Sequence, residues 1–169
     1  MKIFIIGMMG SGKNHWAKYL SNQYNMNWID LDAAIEKANN QTIETIFATK
    51  GEDFFREQEK ELLRTTEKEE NIIVATGGGT PCFHNNMQWM NEHGATIWID
   101  EKIDILVSRL IREKSHRPLI RDLNENELKH FLSTQLKNRT QFYKQATFHL
   151  NSNNIATFNP SEIATIKHL

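Results

Sequence analysis

A chain of 169 residues can fill one good core but not two comfortable ones, so a single domain over 1–169 is expected. Its 20 basic and 21 acidic residues cancel, which excludes the broad electropositive face that nucleic acid or an anionic membrane requires; any anion site must be local. The lone Cys82 excludes an intrachain disulfide and a cysteine zinc knuckle, and no apolar run approaches the ~20 residues of a membrane helix, so a soluble, untargeted protein of a reducing cytoplasm is expected.

The chain opens on Ile3 to Ile6, a short apolar run closed by Gly7, as a strand buried on both faces should look. Gly7-Met8-Met9-Gly10-Ser11-Gly12-Lys13 follows and leads into helical spacing at Trp16, Leu20 and Tyr24. Between a strand and a helix, this G-x-x-x-x-G-K pattern has a physical meaning. Gly7, Gly10 and Gly12 let the backbone turn so that successive N–H groups around Ser11 face one anion, the helix start adds partial positive charge, and Lys13 reaches the phosphates. Asn14 stands where the pattern calls for Ser or Thr, whose hydroxyl ligates Mg²⁺. An amide oxygen can coordinate Mg²⁺, but the longer side chain would displace the ion or hold it through water, so weakened metal binding is expected. His15, alone on the first helical turn, receives no role.

Trp28 to Asp30 repeats the strand pattern and runs into Asp30-Leu31-Asp32. Alternation along the strand sends both carboxylates to one side at its carboxyl end, where one could orient Mg²⁺ or its water and the other accept a hydrogen bond from an attacking hydroxyl; the competing reading is a helix-capping pair. Asp32 to Arg64 then carries charged and polar helices with no strand between, with Phe55, Leu62 and Leu63 at helical spacing, and is expected to form a flap over the cleft. Ile72 to Thr76 is the third strand. Gly77-Gly78-Gly79 closes it, a costly run unless the backbone turns sharply or approaches a ligand closely.

Thr96 to Ile99 and Phe148 to Leu150 complete five strands. Between those two, Glu113 to Glu125 is polar, basic and interrupted by Pro118, and is expected to be a second flap. A polar turn at Asn151 to Asn154 precedes a last helix starting at Pro160 or Ser161. Trp16, Trp28, Trp89 and Trp98 fall in the predicted helices and strands, as packing residues rather than a cofactor box. The alternation of strand and helix predicts an α/β fold, a parallel sheet with helices on both faces and ligands beyond the carboxyl ends of its strands.

Together, the phosphate loop, Asp30-Leu31-Asp32, Gly51-Glu52-Asp53-Phe54-Phe55-Arg56 with Glu59, the glycine triplet, Arg117-Pro118-Leu119, and Arg139 with Tyr143 resemble the shikimate kinases over nearly the whole chain. The resemblance implies a three-layer α/β/α P-loop kinase with a five-stranded parallel sheet, a helical substrate-binding region at about 31–62 and a lid at about 112–125. It implies transfer of the γ-phosphate of ATP to the 3-hydroxyl of shikimate, a step of aromatic amino-acid biosynthesis, with Mg²⁺ as cofactor and a monomeric protein.

By the same resemblance, Lys13, Asp32 and Arg117 would be catalytic: Asp32 holds the acceptor hydroxyl and serves as base, and Arg117 closes over the phosphates. Asp30 and Asn14 would lie at the metal. Arg56 and Arg139 would grip the substrate carboxylate, with Glu59 steadying Arg56, and Gly77, Gly78 and Gly79 would offer backbone contacts. The nucleotide side departs from the pattern at Asn14, at His15 and at Leu110, which stands where many members have an adenine-stacking arginine next to this chain's Arg109. Arg64 and Arg109 are read as solvated charges. Two alternatives stay open: a catalytically weakened binding or regulatory paralogue, and a kinase for another small hydroxylated metabolite such as gluconate or a nucleotide.

Overall fold

The computed structural model describes residues 1–114 and 117–166. Five strands form one parallel sheet: β1 (Lys2–Ile6), β2 (Asn27–Asp30), β3 (Ile72–Ala75), β4 (Ala95–Ile99) and β5 (Phe148–Leu150), in the order β2-β3-β1-β4-β5. Each lies within one residue of the segment expected from the sequence. The register sets Ile3 against both Ile73 and Ala95, and Ile5 against both Ala75 and Ile97.

Because side chains alternate along a strand, β1 feeds two cores. Phe4 and Ile6 join Val74 and Trp98 beneath the helices α2 (Leu31–Asn39), α3 (Ile43–Thr65), α4 (Asn86–His93), α5 (Ile103–Glu113) and α6 (Glu125–Tyr143). Ile3 and Ile5 join Ile73 and Ile97 on the opposite face, under α1 (Lys13–Tyr24) and α7 (Ser161–Ile166). This is the expected three-layer arrangement, and α7 starts where the sequence placed it. The chain leaves β1 toward β3 on one side and reaches β4 on the other, so the order reverses at β1, and the loop after β1 occupies the crevice where doubly wound sheets bind ligands.

The segment Asp32 to Arg64 folds as most of α2 and α3, and its Ile35, Ile46, Phe55 and Leu63 belong to the main core rather than to a loose flap. Gly51, at φ 82° and ψ 174°, breaks α3 into two helical arms. Of the expected lid, α5 consumes the first residues and α6 begins at Glu125 behind an Asn124–Glu127 capping box. Pro118–Ile120 makes a 3-10 turn between them, while Ser115 and His116 of that lid lie outside the described residues. Among the described residues no helix is long and apolar enough to cross a membrane.

Candidate active site

The phosphate loop is shaped by what surrounds it. At Gly7 (φ 144°) a Cβ would stand 2.9 Å from the Ile99 carbonyl oxygen, and at Gly10 (φ 77°) it would stand 2.8 Å from the buried side chain of Leu110. Leu110 thus braces the loop from beneath and cannot stack on a base. Its neighbour Arg109 is no solvated charge: Nη1 donates to the carbonyls of Gly10 (3.1 Å) and Ser11 (3.3 Å), and Nη2 lies 3.5 Å from Glu101. The Lys13 Nζ donates to the Gly7 and Met8 carbonyls at 3.0 Å each. Burial pulls its pKa down to about 8, an effect opposed by the Asp32 carboxylate and reinforced by the Arg117 and Arg139 guanidiniums. Ser11 Oγ is buried with no partner among the described residues.

The acidic pair is not two residues of one strand. β2 ends at Asp30, which is the N-cap of α2: its Oδ1 accepts from the backbone N–H groups of Asp32 (3.0 Å) and Ala33 (3.3 Å). Capping ends the strand before alternation can act, so Asp32 enters the cleft from the first turn of a helix. The Asp30 Oδ2 accepts a hydrogen bond of 2.5 Å from the Asn14 amide. Asp32 Oδ1 is buried without a partner among the described residues. Burial first, and the nearby Glu59 carboxylate second, push the Asp32 pKa up to about 6 against the opposing pull of Lys13. Among the described residues no cluster of three or more His, Cys, Asp or Glu forms a metal cage. One carboxylate beside one amide still suits Mg²⁺, which keeps most of its waters and takes its other ligands from substrate phosphates.

No residue of the glycine triplet has a positive φ; its lack of side chains is what matters. A Cβ at Gly77 would stand 2.7 Å from Glu59 Oε1 and 2.8 Å from Asp32 Oδ1, one at Gly78 2.9 Å from Arg139 Nη1, and one at Gly79 2.7–2.9 Å from the Arg56 guanidinium. Three consecutive residues lacking Cβ therefore let Asp32, Glu59, Arg139 and Arg56 close on one stretch of backbone. Arg56 and Arg139, 83 positions apart in sequence, meet there. Arg56 is clamped in its own helix: Nη1 donates to the fully buried Glu59 (2.7 Å), and Nε (3.0 Å) and Nη2 (2.8 Å) to Glu52. Glu59 in turn accepts a short hydrogen bond from Thr80. One turn beyond Arg139, the buried Tyr143 hydroxyl donates to the Gly78 carbonyl at 2.5 Å, and burial raises its pKa so that it stays a phenol.

A cavity of about 590 Å³ connects these groups, with Lys13, Asp32, Arg56, Arg117 and Arg139 all on its wall. Arg117 is half-exposed at the mouth, 3.4 Å from Glu113. Sequence reasoning missed Glu52, although its spacing of four from Arg56 is a helical ion-pair signal, and it missed Arg109, whose partners are loop carbonyls that leave no trace in sequence. His15 is exposed, packs T-shaped against Trp16 and lies on the rim of the same cavity.

The family model described as shikimate kinase matches residues 9–165. The shikimate kinase of Azobacteroides pseudotrichonymphae is 43% identical over 147 residues, 86% of each chain. The crystal structure of the shikimate kinase from Bacteroides thetaiotaomicron superposes with a TM-score of 0.89 at 32% identity, covering 100% of this chain and 99% of that one. The shikimate kinase from Acinetobacter baumannii, solved in complex with shikimate, gives 0.81 at 25% identity over 99% and 90% of the two chains.

Proposed function

Because the chain belongs to the shikimate kinase family, an ATP-dependent kinase family, we propose that it phosphorylates the 3-hydroxyl of shikimate with the residues gathered in this cavity. The carrying observation is the convergence of Arg56 and Arg139 on the glycine triplet, next to Asp32 and Lys13. Arg56 has five N–H donors, of which three are spent on Glu52 and Glu59. The remaining two, one on each terminal nitrogen, can take a carboxylate bidentately. Arg139 supplies a second cation.

Asp32, with its raised pKa and an oxygen that has no partner among the described residues, accepts the proton of the attacking hydroxyl. Lys13 turns from the loop carbonyls to the γ-phosphate, and Arg117 closes on it from the mouth. Asp30 and Asn14 would hold Mg²⁺ through its waters, the ion supplying neutralisation of phosphate charge. A reducing cytoplasm suits the single free Cys82.

An assay coupling ADP release to shikimate tests this reading. Shikimate-dependent turnover that Arg139→Ala lowers chiefly by raising KM for shikimate is the expected result; preferential phosphorylation of gluconate or a nucleoside monophosphate would overturn it. A second reading, a paralogue weakened in turnover, is favoured by one observation: Asn14 occupies Asp30 through its amide N–H instead of offering a hydroxyl. Asn14→Ser separates the two. A rise in turnover of about tenfold or more supports the weakened enzyme, and unchanged turnover removes it.

A further inference from the structure

Phe83 lies four residues beyond the glycine triplet with 37% of its surface exposed, an unusual position for a large apolar side chain. Its ring sits 4.2 Å from the Arg56 guanidinium carbon, closer than the 5.2 Å of Phe55. The loop that presents it is built to hold it. Thr80–Cys82 forms a 3-10 turn, Phe83 is extended, and His84 (φ 49°) and Asn85 (φ 55°) are consecutive left-handed residues, neither of them glycine. L-residues disfavour that conformation, and its persistence means the surroundings impose it. Asn86 Nδ2 donates to the Thr80 carbonyl (2.9 Å), and Arg64, far from the solvated charge expected of it, donates to the His84 carbonyl (3.3 Å) while lying 4.4 Å over Trp89. Arg56 and Arg64 are eight residues apart on α3, so one helix face grips this loop at two points.

We propose that Phe83 is a positioning residue of the acceptor site, a ring that fixes the plane of the Arg56 guanidinium and so aims its two uncommitted N–H groups. The inference rests on Arg56 as a carboxylate ligand. Glu52 and Glu59 hold edges of the guanidinium, and Gly79 crowds it closely. An aromatic face attracts the cation without consuming a donor, whereas another carboxylate there would compete with the substrate. Exposure of the ring is then explained by where its cation must point.

Titration calorimetry with shikimate and steady-state kinetics test it. Phe83→Ala and Phe83→Leu should each weaken shikimate binding and raise its KM roughly 2- to 30-fold, the span from an exposed to a desolvated cation–π contact, with kcat and KM for ATP unchanged; Phe83→Trp should retain wild-type affinity. In an Arg56→Ala background Phe83→Ala should add nothing. Wild-type affinity in Phe83→Leu, or an undiminished loss in the Arg56→Ala background, overturns the positioning role. Should Arg56→Ala itself leave shikimate affinity intact, the carboxylate reading fails first and takes this one with it, an outcome distinct from failure at Phe83 alone.

Discussion

Asp32, the proposed proton acceptor, carries a cost for its place in the cavity. Its pKa of about 6 means that ionisation opposes folding: the penalty is absent below the ordinary carboxylate range, near 4, and is fully present above about pH 6. Asp32→Asn should therefore stabilise the fold at pH 8, by up to roughly 2–3 kcal/mol, while lowering kcat at least about a hundredfold. Thermal melts and turnover at that pH measure both, and a variant that is slower but no more stable would show that Asp32 is not strained. The same shift sets one limb of the pH profile. With Asp32 needed as carboxylate and Lys13 as ammonium, kcat/KM for the free enzyme should rise through about pH 6 and fall above about pH 8. Asn14 adds a cation prediction: in Asn14→Ser the Mg²⁺ concentration giving half-maximal ATP affinity should fall, because a hydroxyl replaces an amide that now donates to Asp30.

Between residue and domain, two glycines separate the two reasons for lacking a side chain. Gly51 has nothing among the described residues within 4 Å of its would-be Cβ but adopts φ 82°, ψ 174°, a region nearly reserved for glycine. Gly51→Ala should cost about 1–3 kcal/mol of stability with no steric clash, and should disturb shikimate binding only through the angle between the arms of α3. Gly79 needs no special dihedral, yet its Cβ would meet Arg56 at 2.7 Å. Gly79→Ala should raise KM for shikimate tenfold or more, because Arg56 must leave its place over the triplet; a KM for shikimate as little changed as in Gly51→Ala would contradict this division. The contrast also explains what was legible in advance. Strands such as Ile3 to Ile6 announce themselves because a doubly buried strand is apolar at every position, and the phosphate loop does so because its glycines are spaced by backbone geometry. The Asp30 cap is less legible, since whether a strand stops at Asp30 or runs on to Asp32 depends on two backbone N–H groups that only the fold brings round. Arg109 and Phe83 were illegible because their partners, loop carbonyls and a guanidinium, lie far away in sequence.

At the scale of the molecule, the proposed acceptor pocket is a junction: Asp32 comes from α2, Arg56 and Glu59 from α3, the triplet from the end of β3, and Arg139 from α6. These elements carry much of the main core, so a ligand that bridges them is linked to global unfolding rather than to one loop. Glu52 and Glu59 preset Arg56, and Tyr143 ties α6 to Gly78, so the pocket walls are held by the protein's own contacts. Shikimate alone, at about 100 times its Kd, should then stabilise the protein by about 2.7 kcal/mol, which for a chain of this size raises Tm by roughly 5–10 °C. Calorimetric melts with and without shikimate measure the shift. Arg139→Ala should abolish most of it while leaving the shift given by ADP intact, because Arg139 faces the triplet and the phosphate loop binds on its own glycines. A shikimate shift that appears only when ADP is present would mean that the junction is completed by the nucleotide, and the preformed pocket would have to be given up.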